Sequence, residues 1–452
     1  MNKNLLFVAT AVTLALIAPA PARADDGCVD DGCDLRALYQ SDNSQGGSMD
    51  GVIKAQRLGS WGIDRGGMDT SVRPGEDFFR YVSGNWATNT KIPSDKSMYG
   101  SFLVLRDLSE ARLRTLVESY PAGDPATGGD AAKIATLYRG FMDEAAIEGK
   151  GIRPVAPHLD AVRAVADKDA LARLMGQRMG SFGGTFFSAS VSDDQRDPDH
   201  YALYLGQAGL GLGDREMYLD PKFAPQRGRY EAYIAQMLGL AGWADPKVQA
   251  GKIMAMETRI AKVHWTRAES RDRDKTYNPV PLGGMDAMAP GFPWATYFAA
   301  AGVNQARQAV VRQNTAFPKM AAIFADTDLD TLKAWQAFHT VDDAAPLLSK
   351  AFVDAEFEFR SKFLSGQPEQ RPRWKRGVAF AEGAMGEAIG RDFVDLYFPA
   401  DAKAKMDDLV ANVKAAMGAR LQQLDWMSPA TKAEAHAKLK KFTVKIGYPD
   451  KW

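Results

Sequence analysis

LDWMSPATKAEAHAKLKKFTVKIGYPDKW, Leu424 to Trp452, is the stretch whose reading organises the chain. It predicts a helix ending at Trp426, a cap, a second helix and a short strand. Ser428 is a good N-cap, and Pro429 suits the first helical position because its missing N–H would be unpaired there anyway. Lys438, Lys440 and Lys441 fall in the last turn, where cations favour the carbonyl end of a helix. Thr443-Val444-Lys445-Ile446 alternates as a strand does, and Gly447-Tyr448-Pro449 punctuates it. A strand just begun implies that more chain should follow.

Upstream of that stretch, Ala402 to Leu424 is the cleanest helix, with Met406, Leu409, Val410, Val413, Met417, Leu421 and Leu424 on one stripe. From Trp294 onward the pattern is helical almost to the end. Further amphipathic helices are expected at Ala131–Met142, Val155–Val165, Ala170–Met179, Gln226–Leu240 and Pro246–Trp265, and around Leu105–Val117. The texture changes once. Thr185–Val191 and Tyr201–Leu205 are β-rich runs about a polar turn, Ser192–His200, and predict a β-hairpin. Pro279–Phe292 reads as a loop. The charge run Arg267–Asp274 reads as a solvated helix or turn face. The short helix after Pro74-Gly75 carries Phe78, Phe79, Tyr81, Val82 and Trp86. Its aromatic cluster reads as core packing, with a binding cleft as the other reading.

The N-terminus reads as a targeting segment. Lys3 gives the positive start, Leu5–Ile17 the apolar run and Ala22-Arg23-Ala24 the cleavage site before Asp25. Residues 1–24 are therefore expected to be a signal peptide, 25–67 an extended arm and 68–452 the folded domain. This implies an exported protein, periplasmic or extracellular. No later window approaches the ~20 apolar residues of a membrane span, so no transmembrane anchor is expected. Lys+Arg and Asp+Glu both number 56, which gives zero net charge and no basic excess for nucleic acid. Cys28 and Cys33 are the two cysteines, and either a small local disulfide or two thiols fits an oxidising compartment.

Catalytic patterns are sparse. None of the five histidines, His158, His200, His264, His339 and His436, begins His-Glu-x-x-His, and two cysteines cannot make a Cys-rich zinc site. His264, beside Trp265, reads as a packed structural histidine. No Gly-x-Ser-x-Gly elbow occurs. Gly209-x-Gly211-x-Gly213 lacks the features of a phosphate loop and reads as a turn. On residues alone, the chain looks like an exported helical scaffold without its own catalytic set.

Three ordered blocks resemble the neprilysin / endothelin-converting-enzyme family of zinc metallopeptidases. They are SVRPGEDFFRYVSGNW with IPSDKSMYGSFLVLRD (Ser71–Asp107), GLGLGDREMYLDP (Gly209–Pro221) with WTRAESRDRDKTYN (Trp265–Asn278), and AMGEAIGRDFVDLYF (Ala384–Phe398) running into the Leu424–Trp452 stretch. The resemblance implies a mainly α fold, a large helical cap domain with one small β-hairpin. It implies zinc and peptide substrates for the full-length family. The family's zinc motif would lie beyond the Gly-Tyr-Pro stretch, so the chain lacks the C-terminal zinc-peptidase domain and is expected to bind no zinc and to be inactive alone. It also implies a small N-terminal disulfide, Cys28–Cys33, and substrate-cleft positions at Met98, Tyr99 and Leu103. Gly75 and Ser83 stand where many members have cysteines. Met98 stands where some carry an Arg for a substrate carboxylate, and Leu103 where an acidic residue can occur. Two readings follow: the N-terminal portion of an exported peptidase, or a non-catalytic peptide-binding or partner module.

Overall fold

The computed structural model describes residues 63–452. The expected signal peptide, most of the arm and both cysteines lie outside the described residues. Two compact units divide the chain, one of residues up to Met142 with Arg371–Trp452, the other Asp143–Gln370. In chain order the main helices and strands begin with α1 (Phe78–Asn89), α2 (Ser101–Ser119) and α3 (Gly129–Met142). In the second unit come α4 (Ala156–Arg163), α5 (Lys168–Gln177), β1 (Phe187–Asp193), β2 (Tyr201–Gln207), α6 (Ala224–Leu240), α7 (Pro246–Val263), β3 (Asn278–Pro281), α8 (Trp294–Ala300), β4 (Gln308–Val311), α9 (Phe317–Asp326) and α10 (Leu329–Ala344). The chain then returns to the first unit with α11 (Arg373–Tyr397), α12 (Ala400–Gln423) and α13 (Pro429–Lys440).

The second unit is built around a sheet. β1 and β2 form the expected antiparallel hairpin, with Phe187 opposite Gln207 and Asp193 opposite Tyr201. The hairpin does not stand alone. β4 joins β2 in parallel and β3 pairs antiparallel with β4, giving the order β1-β2-β4-β3. Both added strands fall where the sequence predicted loop or helix. Each is four residues long, too short for alternation to show, and each becomes a strand because a distant partner supplies its ladder. An aromatic core packs beside the sheet. Phe187 lies 5.0 Å from Phe292, 4.5 Å from Trp294 and 4.7 Å from Phe317, ring centre to ring centre. Phe186 meets Trp335 edge to face at 5.2 Å, the offset that ring quadrupoles favour.

The first unit has a smaller core, made by Leu113, Leu116, Val117 and Tyr120 of α2 and its end, Ile134 and Tyr138 of α3, and Val378, Ala381 and Ile389 of α11. Gly377 permits the close approach of α11 to α3. A Cβ there would lie 3.0 Å from Tyr138 and 3.2 Å from Phe141. Non-helical backbone at Met385 kinks α11.

Two expectations fail in this unit, the packed α1 aromatics and the strand at Thr443–Ile446, and the apolar stripe of α12 stays open. Phe78 and Phe79 are 68% and 67% exposed, so the α1 aromatics are not a core cluster; of α1 only Gly84 is buried. On α12 only Ala402 is buried, and Leu409, Val413 and Met417 of the apolar stripe face outward. Thr443–Ile446 forms no strand, because no ladder partner meets it among the described residues, and α12 ends at Gln423 rather than at Trp426. The Ser428 cap stands: its hydroxyl accepts from Thr431 N–H at 3.2 Å, and Pro429 opens α13.

Candidate functional site

The residues singled out for a substrate cleft lie on the turn between α1 and α2 and on the first turn of α2. Met98 is 66% exposed, Tyr99 is half-buried and Leu103 sits just inside α2, its N–H on Gly100 O at 2.8 Å. Tyr99 stacks on Trp86 with ring centres 6.5 Å apart, and its hydroxyl donates to Asp107 Oδ2 at 3.2 Å. Within the turn from Lys91 to Gly100 the buried side chains are the charged ones, Asp95 and Lys96. Lys96 Nζ lies 2.7 Å from Asp107 Oδ1 and 3.6 Å from Asp95, and Lys375 of α11 donates to Asp95 Oδ2 at 2.9 Å. Burial alone would raise the Asp95 carboxyl, but Lys375 and then Lys96 hold it below the usual carboxylate range.

A second ion network lies on the same face of α2. Arg371 reaches Glu110 Oε1 at 2.6 Å, and Arg106 lies 3.6 Å from the same oxygen. Glu382 of α11 is pushed up, first by burial and then by the Glu110 charge. Sequence reasoning gave neither network, because their members lie on opposite sides of the whole second unit in the chain.

The second unit encloses its own polar centre. Glu257 of α7 is fully buried. Its Oε2 accepts from Tyr218 O–H at 2.6 Å and Gly211 N–H at 3.3 Å; its Oε1 accepts from Trp335 Nε1–H at 2.9 Å and Tyr230 O–H at 3.3 Å, with His339 Nε2 at 3.2 Å. Burial, and next the Glu257 charge, hold both phenols well above their usual range. Beside it, Asp342 accepts from Tyr233 O–H at 2.5 Å and Arg360 Nε–H at 3.0 Å, while Arg360 Nη1–H donates to Gly211 O at 3.2 Å. Arg360 lies on a π-helical turn, Phe357–Phe363. The glycine-rich run is thus a turn, as expected, but a clamped one. A Cβ on Gly211 would lie 1.7 Å from Tyr230 Oη, so only glycine fits. This is a packed hub whose carboxylates are taken up by buried donors, as a structural polar centre requires.

The histidines are dispersed. His264 is buried, with Nε2 3.1 Å from Ala208 O, and burial lowers it to about 4. His200 pairs with Asp197 at 2.8 Å on the surface, and His158 meets Phe182 edge to face. Among the described residues no group of three or more His, Cys, Asp or Glu side chains could hold a metal ion. The donor set of a zinc centre is not assembled by these described residues. No helix among them is long and apolar enough to cross a membrane.

The described residues form two mainly helical units, one of which carries a small mixed sheet. Residues 74–449 match Peptidase family M13, and the chain belongs to that family. It is 28% identical over 401 residues to endothelin-converting enzyme-like 1 of Rattus norvegicus, covering 85% of this chain and 51% of that protein. It is 25% identical over 397 residues to endothelin-converting enzyme 1 of Bos taurus, covering 85% and 52%. Among solved structures, the zinc metalloprotease Zmp1 of Mycobacterium tuberculosis in complex with inhibitor is 34% identical with a TM-score of 0.80, over 86% of this chain and 60% of that one. PepO from Lactobacillus rhamnosis shares the fold at 23% identity and a TM-score of 0.74, over 84% and 61%. The chain spans about half the length of the curated relatives it matches.

Proposed function

We propose that this chain is the helical N-terminal portion of an exported zinc metalloendopeptidase. The zinc and the water it activates would be held by residues that this chain does not carry. The described part would form the wall that admits peptides and excludes folded proteins, with Met98, Tyr99 and Leu103 facing the substrate. An apolar side chain at Met98 favours an uncharged peptide segment over a free carboxylate. Residues 1–24 would direct export to the periplasm or beyond, Cys28 and Cys33 would close a small disulfide, and 68–452 would act as one domain of the whole enzyme.

The observation that supports this reading is the family match over 74–449 joined to a coverage of about half of each relative. The absence of His-Glu-x-x-His from the 452 residues supports the assignment of hydrolysis to another segment. The purified 452-residue chain, loaded with zinc and offered quenched fluorescent peptides, is expected to show no chelator-sensitive cleavage. Cleavage abolished by a chelator would place the chemistry in this chain and overturn the assignment.

A further inference from the structure

We propose that Lys375 is a positioning residue for the turn that carries Met98 and Tyr99. The functional weight of that turn rests on the peptide-facing reading given above; the positioning itself rests on packing and charge. The apolar hold on the turn is the half-buried Tyr99 against Trp86; Ile92 and Met98 are exposed, and the buried side chains are Asp95 and Lys96. The buried polar side of the turn holds a line of alternating charges. Lys375 donates from α11 to Asp95, Asp95 also faces Lys96, Lys96 reaches Asp107 of α2, and Asp107 accepts from the Tyr99 hydroxyl next to Met98.

The four charged side chains are 4–10% exposed, and they balance, two cations against two anions. A buried pair of this kind gives little stability over an apolar filling, but its loss on one side strands a charge. In this register of the turn each of the four groups lies within 3.6 Å of an opposite charge. Neither lysine is therefore presented to solvent as a free cation, and the side chain held outward is Met98.

The test uses the 452-residue chain with methyl-labelled methionine, the Met98 resonance being assigned by Met98→Leu. In Lys375→Met, the Met98 methyl is expected to shift and broaden, and amide exchange across residues 94–100 to rise at least tenfold. Met285 and Met320, buried in the second unit, should keep their resonances. Lys375→Arg should return the Met98 signal toward its starting position, and Asp95→Asn should reproduce the Met98 shift and broadening seen in Lys375→Met. Two results overturn the proposal: a Met98 signal unmoved in both Lys375→Met and Asp95→Asn, or exchange raised equally throughout the chain. If Lys375→Met does not fold, Asp95→Asn carries the test, since it keeps the side-chain shape and removes only the charge. Peptide cleavage plays no part in these readouts, so failure of the peptidase reading and failure of the positioning proposal are told apart.

Discussion

Helix α10, in the second unit, and helix α12, in the first, both come from sequence with apolar residues at helical spacing. In α10 nearly every side chain is buried, including the polar Gln336, His339, Thr340 and Asp342. In α12 only Ala402 is buried along 24 residues. The difference lies in what surrounds each helix. α10 packs among α4, α6 and α7; its His339 meets Glu257 and its Asp342 meets Tyr233 and Arg360, while the buried Gln336 amide has no hydrogen-bond partner among the described residues. α12 has α13 alongside it, and Leu409, Val413 and Met417 remain more than half exposed. Amphipathic spacing states that a helix has an apolar face; it does not state that this face is covered within the same unit. The two units should accordingly respond very differently to substitution and to pH.

The largest effect is expected at the buried hub. Glu257→Ala removes the acceptor of four donors at once, and each buried donor left unpaired costs about 1–3 kcal/mol. A loss of at least about 3 kcal/mol in the second unit is expected, read as a lower urea midpoint by near-ultraviolet circular dichroism of its buried Trp294 and Trp335. A loss under about 1 kcal/mol would show that the donors find other partners, and would break the contrast between a matched core and an open face.

Next comes pH. His264 is lowered to about 4 in the folded state by burial, against an ordinary value near 6.5. The unfolded chain therefore binds a proton below about pH 6.5 that the folded chain refuses until about pH 4. Stability of the second unit should fall as pH falls through that window, by about 3 kcal/mol at most. His264→Gln, which keeps an amide donor for Ala208 O, should flatten this dependence. The first unit has the same sign in a lower window: Asp95 is held low by its lysines, so its contribution persists above about pH 4 and is lost only as acid protonates the carboxylate. Parallel acid profiles for the two units would remove that distinction.

The smallest effect is expected on the open face. Val413→Ser on α12 and Trp426→Ala, whose ring is 72% exposed, should each change unfolding free energy by no more than about 0.5 kcal/mol. Trp335→Ala in the second unit should cost about 3–5 kcal/mol by the same measurement. A loss above about 2 kcal/mol at Val413 would mean that α12 is covered after all.

Much of the fold was legible before the structure. The hairpin, the helices of α3, α6, α7 and α13, the Ser428 cap and the family blocks could be read from spacing and residue type, because those signals are local. The sequence also showed that the chain carries no zinc motif of its own. Three things were not legible. β3 and β4 needed partners remote in the chain to become strands. Glu257 looked like any helical glutamate until Tyr218, Tyr230, Trp335, His339 and Gly211 converged on it. Phe78 and Phe79 looked like core, and the α12 stripe showed an apolar face without its partner, because period and composition carry the face of a helix but not the identity of what lies against it.

The sequence by itself therefore determined the secondary-structure alphabet, the zero net charge and membership of a zinc-peptidase family, all of which follow from neighbours in the chain or from a total over it. Only the tertiary structure decided which charges are buried and paired. Asp95 and Lys375 stand on either side of the entire second unit in the chain, yet their side chains are 2.9 Å apart. Short-range electrostatics and packing act through distance in space, and that distance is set only when the chain has folded.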